Sequence, residues 1–473
     1  MGTLKILGLW VGFWLVALGV AALLLLIPIS QSRFQGSVQL SGFIAGAGAA
    51  TVLWALRPRW RRRQGDQPRA LDRARFPALF AFVNDIARRT GVADPDEVLL
   101  LGDMQAFAAV ERRWLGLVKR RKVGLGLPLL GVVSPSELGA ILAHEMGHHA
   151  GGDLALGPWI YRTRGAIAAA VDALEDSAFF LDAPFRAYGR FFLTTSMAHS
   201  RQRELAADAL SAAVCGPGPA GAALRKVEDL GPLWSAYFEL EAAPLLLRGV
   251  RIPLLEGFSR FRVLERRRSE VERRILDTRT RAPSPWDSHP SLEERLRALG
   301  VSGRPRATAE EAANCLHLLG GAEAAEAAWY EVAVQGTLEA TTWEDVAERF
   351  VVPAVAQALA DTPLDPGHTA LEDLPSLVGE GARLWDRLRP RGIDLLSHQA
   401  KAQRSRLLLA DWLTVALVRR GFRPALEPGA ELSLARADLR VEPAQVVAEL
   451  ASGALNAQDY RARCRTWGTP VAP

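Results

Sequence analysis

A mainly α, α+β chain with an N-terminal membrane hairpin is predicted by three observations. Two apolar stretches, Ile6–Ile29 and Val38–Leu56, stand at its start. Three strand-like segments fall between residues 95 and 127. Nearly all the rest carries helical periodicity, most clearly in Ser134–Gly152, SPSELGAILAHEMGHHAGG. With 473 residues, of which 49 % are hydrophobic, the chain has room for two or three domains and a sizeable core. The expected divisions are a membrane hairpin with a basic flank over 1–63, a body over 64–304, and a mostly helical C-terminal region over 305–473.

The first stretch, Ile6–Ile29, is 24 residues without a charge, enough to cross a bilayer. It lacks a small-residue cleavage site and a second apolar stretch follows closely, so a removed signal peptide is not expected. Val38–Leu56 is richer in Gly and Ala and is read as the return span. Lys5 precedes the first span, Arg33 alone stands in the connection, and Arg57, Arg59, Arg61, Arg62 and Arg63 follow the second. Basic flanks stay in the cytoplasm, so both ends of the hairpin and the body after it are expected there. The net charge of +5 is largely this flank, which speaks for lipid headgroups and against nucleic acid. Three cysteines, 215, 315 and 464, are odd in number and far apart; they give no disulfide framework and fit a reducing compartment.

A helical pattern runs from Asp72 to Thr90 and stops at Gly91. Pro95–Gly102, Met104–Val110 and Arg121–Leu127 then read as strands of a short sheet. Gln105, Ala106 and Phe107 lie in the second, either as an edge that could pair with an extended peptide or as an ordinary interior strand. Ser134 with Glu137 forms a capping box, Pro135 takes the first helical position, and Gly151-Gly152 ends the helix that begins there. Residues 153–213 read as two helices, too interrupted by charge to span a membrane. Helical pattern continues over 219–280; a Pro-rich loop, 282–290, then leads into a helix over Leu292–Leu299. Residues 305–420 read as helical with a break at Thr362–Gly367, 421–443 as a small hairpin, and a short helix follows.

The chemistry concentrates in the capped helix. In His144-Glu145-Met146-Gly147-His148 the two imidazoles are four residues apart, on one helix face, and can reach one metal ion. Imidazole ligands in an open site favour zinc, one ion per chain. Glu145 lies at the edge of that face, where it can take a proton from water activated by the metal. Two imidazoles leave the coordination incomplete. Leu154 stands where the extended HExxHxxGxxH pattern needs a third His, so a carboxylate on a later helix is expected. Glu175 sits in an acidic cluster with Asp172 and Asp176, which reads as a solvated face. Glu204 is preferred: Ala206, Ala207 and Ala209 would let its helix approach closely. Asp208, one turn on, could accept the N–H of a ligating His.

HEMGHHAGGD, then SRQRELAAD, then SHPSLEERLRAL, behind an N-terminal hairpin, resemble the membrane-bound zinc metallopeptidases, the family of the heat-shock protease HtpX and the CAAX prenyl protease. The resemblance covers roughly residues 70–300. It implies a gluzincin-type metalloprotease domain in which His144, His148 and Glu204 hold zinc, Glu145 is the general base and Asp208 supports a ligand. It also implies that His289, with Arg295, lies near the scissile carbonyl. Gln105 replaces the Asn that the family often carries before Ala106, and no further spans separate the motifs, which argues against an enclosed chamber for prenylated proteins. The expected activity is a zinc endopeptidase acting on protein or peptide substrates, held in a bacterial inner membrane with its catalytic part facing the cytoplasm. The alternative is a membrane-anchored zinc-binding scaffold without turnover; retention of Glu145 separates the two, since a scaffold needs no base.

Overall fold

The apolar start of the chain forms two helices, α1 (Thr3–Gln35) and α2 (Leu40–Ala55). They pack together around Leu9, Phe13, Ala17, Ala21 and Val52, and a polar turn closes them, with Gln31 bonded to Ser41 at 2.8 Å and to the amide of Gln39 at 3.0 Å. This computed structural model describes residues 3–55, 69–113, 118–150, 183–264, 290–301, 313–334, 336–360, 362, 364, 369–388 and 396–468. The basic flank Arg57–Arg63, Glu175, His289 and most of the Pro-rich loop lie outside the described residues.

Among the described residues one helix is long and apolar enough to cross a membrane, Val11–Gln35. The helix expected as the return span has 16 residues up to Ala55.

The remaining described residues are mostly helical and fall into two compact units, Met1–Pro232 with Ile275–Gln335, and Leu233–Arg274 with Gly336–Pro473. In the first unit, helix α3 (Pro77–Arg89) is shorter than its periodicity suggested. Pro77 fixes its start, and Asp72 is spent on a turn in which its carboxylate accepts the amide of Ala74 at 2.9 Å. Strands β1 (Glu97–Leu101), β2 (Ala106–Arg113) and β3 (Val118–Gly126) form one sheet in the order β1-β3-β2. β3 pairs parallel with β1 and antiparallel with β2, which leaves β2 at an edge. Phe107 faces Gly124 across the ladder with its ring lying over the glycine, where a Cβ would stand 2.2 Å from the ring.

Leu127, expected to end a strand, instead opens the short helix α4 (Leu127–Val132). Helix α5 (Pro135–Ala150) carries the His-Glu-x-x-His motif. Its capping box is formed on both sides: the amide of Ser134 donates to Glu137 at 2.7 Å, and the amide of Glu137 to the Ser134 hydroxyl at 3.3 Å. Of the stretch 153–213, read as two helices, one 33-residue helix, α6 (Ala183–Cys215), is described; residues 151–182 lie outside the described residues. Helix α7 (Pro217–Tyr237) follows, and the short α8 (Leu292–Ala298) is closed by a second capping box between Ser291 and Glu294.

The second unit departs from the expected reading in two places. Val250–Arg251 pairs parallel with Glu339–Ala340, a contact between segments too distant for any local pattern to announce. Residues 423–441 form three antiparallel strands rather than a hairpin, and two helices follow, Pro443–Ser452 and Ala457–Trp467. Its core gathers on the helix His398–Val418, whose Trp412 and Leu413 are fully buried beside Tyr460.

Candidate metal centre

The site is built where α5 crosses α6. Gly147 makes the crossing close: a Cβ there would stand 3.2 Å from the Cα of Ala207. Of the three alanines expected to permit approach, only Ala207 is buried in the interface; Ala206 and Ala209 are exposed. The sequence reading had half of the device and missed its partner, Gly147. Two further bonds tie the helices. The Ser211 hydroxyl donates to the carbonyl of Ala140 at 2.7 Å, and Arg203 reaches the carbonyl of His148 at 3.3 Å.

At the crossing, one ligand atom from each of His144, His148 and Glu204 lies within 4.8 Å of the others. Glu204 is buried, with carboxylate oxygens 3.5 Å from Nε2 of His144 and 3.7 Å from Nε2 of His148. Two donors of a tetrahedral zinc with bonds of about 2.0–2.1 Å stand ~3.4 Å apart; the separations from the two Glu204 oxygens are near that value, and the three donors, within 4.8 Å of one another, would draw together on an ion. The donor set is also chemically apt: two imidazoles and one carboxylate leave a fourth position open.

Asp208 is buried and accepts from Nδ1 of His144 at 2.9 Å, which turns Nε2 toward Glu204. Arg295, from α8, forks onto the same carboxylate at 2.6 and 2.8 Å, and its Nη2 lies 3.3 Å from the His144 ring. Burial would raise the carboxyl of Asp208, but the Arg295 guanidinium and the His144 imidazole outweigh it and hold the carboxyl below the usual range. Burial would likewise lower His144. The carboxylates of Asp208 and Glu204 prevail and raise it to about 9.

Short helix α8 is held to α6 by two guanidinium–carboxylate pairs that run in opposite directions. Arg295 of α8 grips Asp208 with two nitrogens, while the single Nη2 of Arg201 on α6 donates to both oxygens of Glu294 at 2.5 Å. The second pair has no local signature, because its partners are 93 residues apart. A cleft of about 420 Å³ opens over the donors. Glu145 lines it beside His144 and His148, Gln105 and Ala106 form part of one wall, and Leu224, Val227 and Leu292 are among its apolar residues. Phe107 is not among the lining residues; its ring is committed to Gly124. Pro290, which follows His289, lines the cleft, while His289 itself is outside the described residues.

Residues 73–301 match the family model described as Peptidase family M48, the family to which the three motifs point, and the His144, His148 and Glu204 cluster fits its metal site. M48 peptidases are metal-dependent. No solved structure matches the chain.

Proposed function

From a metallopeptidase segment of family M48 over residues 73–301, we propose a zinc endopeptidase held at a membrane by its N-terminal helix and acting on protein or peptide substrates. The observation that carries this reading is the convergence of His144, His148 and Glu204 on one point in a cleft that Glu145 also lines. A scaffold would need the three donors but not the carboxylate beside them.

His144, His148 and Glu204 would hold the ion, with Asp208 fixing the tautomer of His144 and Arg295 fixing Asp208. Bound there, zinc would supply a Lewis acid for the peptide carbonyl and make water more acidic. Glu145 takes the proton from the attacking water and hands it to the departing amine, so one carboxylate acts first as base and then as acid. The carbon–nitrogen bond breaks as that proton arrives. Gln105 and Ala106, at the start of edge strand β2, are placed along the cleft where an extended substrate could add its backbone to the sheet. His289 is assigned a contact to the carbonyl oxygen on the motif resemblance, and Pro290 in the cleft wall supports that assignment. The division into an anchor over 1–63, a peptidase domain over 64–304 and a C-terminal region over 305–473 completes the proposal. So does a site facing the cytoplasm of a bacterial inner membrane.

The experiment is hydrolysis of casein by the purified full chain, before and after treatment with a zinc chelator. Cleavage that stops on chelation and returns with added zinc is expected. Cleavage indifferent to the chelator, or none with zinc loaded, would remove the proposal.

A further inference from the structure

The helix that presents Glu204 begins far from the metal donors, against the membrane hairpin. Phe192 is 1 % exposed and belongs to the same apolar cluster as Leu9 and Phe13. Tyr188, one turn earlier, donates its hydroxyl to the carbonyl of Leu9, and its ring lies 6.2 Å from that of Phe13. Leu9 and Phe13 stand at the N-terminal end of the apolar span Val11–Gln35. The first turns of α6 are therefore level with one boundary of whatever that span crosses.

On a helix, positions 187, 188, 191 and 192 share one side, while 186 and 190 fall on the other. In this chain the first set is Ala187, Tyr188, Phe191 and Phe192, and the second is Arg186 and Arg190. The apolar side is wider than the hairpin covers. Phe191 is 57 % exposed, and on the hairpin Leu15 is 67 % and Leu18 52 % exposed. Arg186 and Arg190 are exposed on the opposite side. An apolar side with aromatics backed by paired arginines is the pattern of a helix lying in a membrane interface, its cations reaching the headgroups.

We propose that the first turns of α6, through Phe192, form an interfacial helix whose Phe191 enters the boundary between headgroups and acyl chains. The occupant of this surface is lipid, because the Phe191 ring stands 6.0 Å from that of Tyr188, which packs on Phe13 of the apolar hairpin. The inference rests on the membrane-anchored reading above and adds a second, independent contact with the bilayer. It also fixes a distance. From Phe191 to Glu204 is 13 residues of one helix, a rise of roughly 20 Å, so the metal donors would hang within that reach of the membrane.

Depth measurement tests it. The full chain, with Cys215→Ala to remove the half-buried thiol, is reconstituted in phosphatidylethanolamine–phosphatidylglycerol vesicles carrying a nitroxide at Leu18→Cys, Phe191→Cys or Leu407→Cys. Leu407 is 58 % exposed in the second unit and serves as the aqueous reference. Collision with dissolved oxygen is compared with collision with a water-soluble nickel chelate. The expected result is oxygen-favoured collision at positions 18 and 191 and nickel-favoured collision at 407. A nickel-favoured label at 191 with an oxygen-favoured one at 18 would overturn this inference alone. A nickel-favoured label at 18 would overturn the anchored reading and this inference with it.

Discussion

A Cβ added to Gly147 on α5 would stand 3.2 Å from the Cα of Ala207 on α6. The close approach matters because the donors are divided between these helices, His144 and His148 on one and Glu204 on the other. A side chain at 147 meets backbone, which cannot turn away, so the helices must part. Gly147→Val is predicted to weaken zinc binding by at least about 10-fold, the size of effect seen when the support of a ligand is disturbed. The far-UV spectrum should stay helical. Competition with a coloured chelator measures the change, and unaltered affinity would show that the crossing does not set the site.

The N-terminus of the same helix depends on a second unit of chemistry. Glu137 is 1 % exposed, and its carboxylate lies 2.6 Å from Nζ of Lys226 on α7, which also donates to the carbonyl of Val132 at 3.1 Å. Removing the cation leaves a buried charge. Lys226→Met is predicted to cost about 2–4 kcal/mol, slightly less than for a fully buried pair because the lysine keeps some contact with water. Adding Glu137→Gln should recover much of the loss, since glutamine still caps the helix. Thermal melts of the single and double variants decide it; a single variant as stable as the parent would contradict the account.

Metal binding should depend steeply on pH. His144 is raised to about 9 in the metal-free site, and a ligating imidazole must give up the proton on Nε2 while Nδ1 stays bonded to Asp208. Below about 9 the ion has to displace that proton. Apparent affinity is therefore predicted to rise about tenfold per pH unit toward about 9 and to level off above it. Chelator competition in steps between neutral pH and about 9 reads the slope. A flat profile would mean that Asp208 and Glu204 do not hold a proton on His144.

Much of this site was legible before any coordinates, for reasons that are local. A four-residue spacing, a capping box and a proline at the first helical position all act within two turns, so α5 and its two histidines could be read directly. Glu204 was reachable because its helix carries a small residue, Ala207, at the contact. What stayed hidden depends on pairing across the chain. The pairs Arg201–Glu294 and Arg295–Asp208 join residues 93 and 87 positions apart, and Lys226 meets Glu137 across 89. Gln105–Phe107 stayed open between an edge and an interior strand; only the ladder puts β2 outside β3 and turns Phe107 onto Gly124. Arg186 and Arg190, which ruled out a membrane span in this stretch, are exposed on α6.

The central claim is that Glu204 completes the metal site while Glu145 works on water and binds no metal. Zinc content after dialysis and casein turnover, measured together in Glu204→Ala and Glu145→Gln, test it most directly. Glu204→Ala is predicted to lose its zinc. Glu145→Gln should keep it and turn over slower by a factor of about 10²–10⁴. Zinc retained by Glu204→Ala, or near-normal cleavage by zinc-loaded Glu145→Gln, would contradict the account.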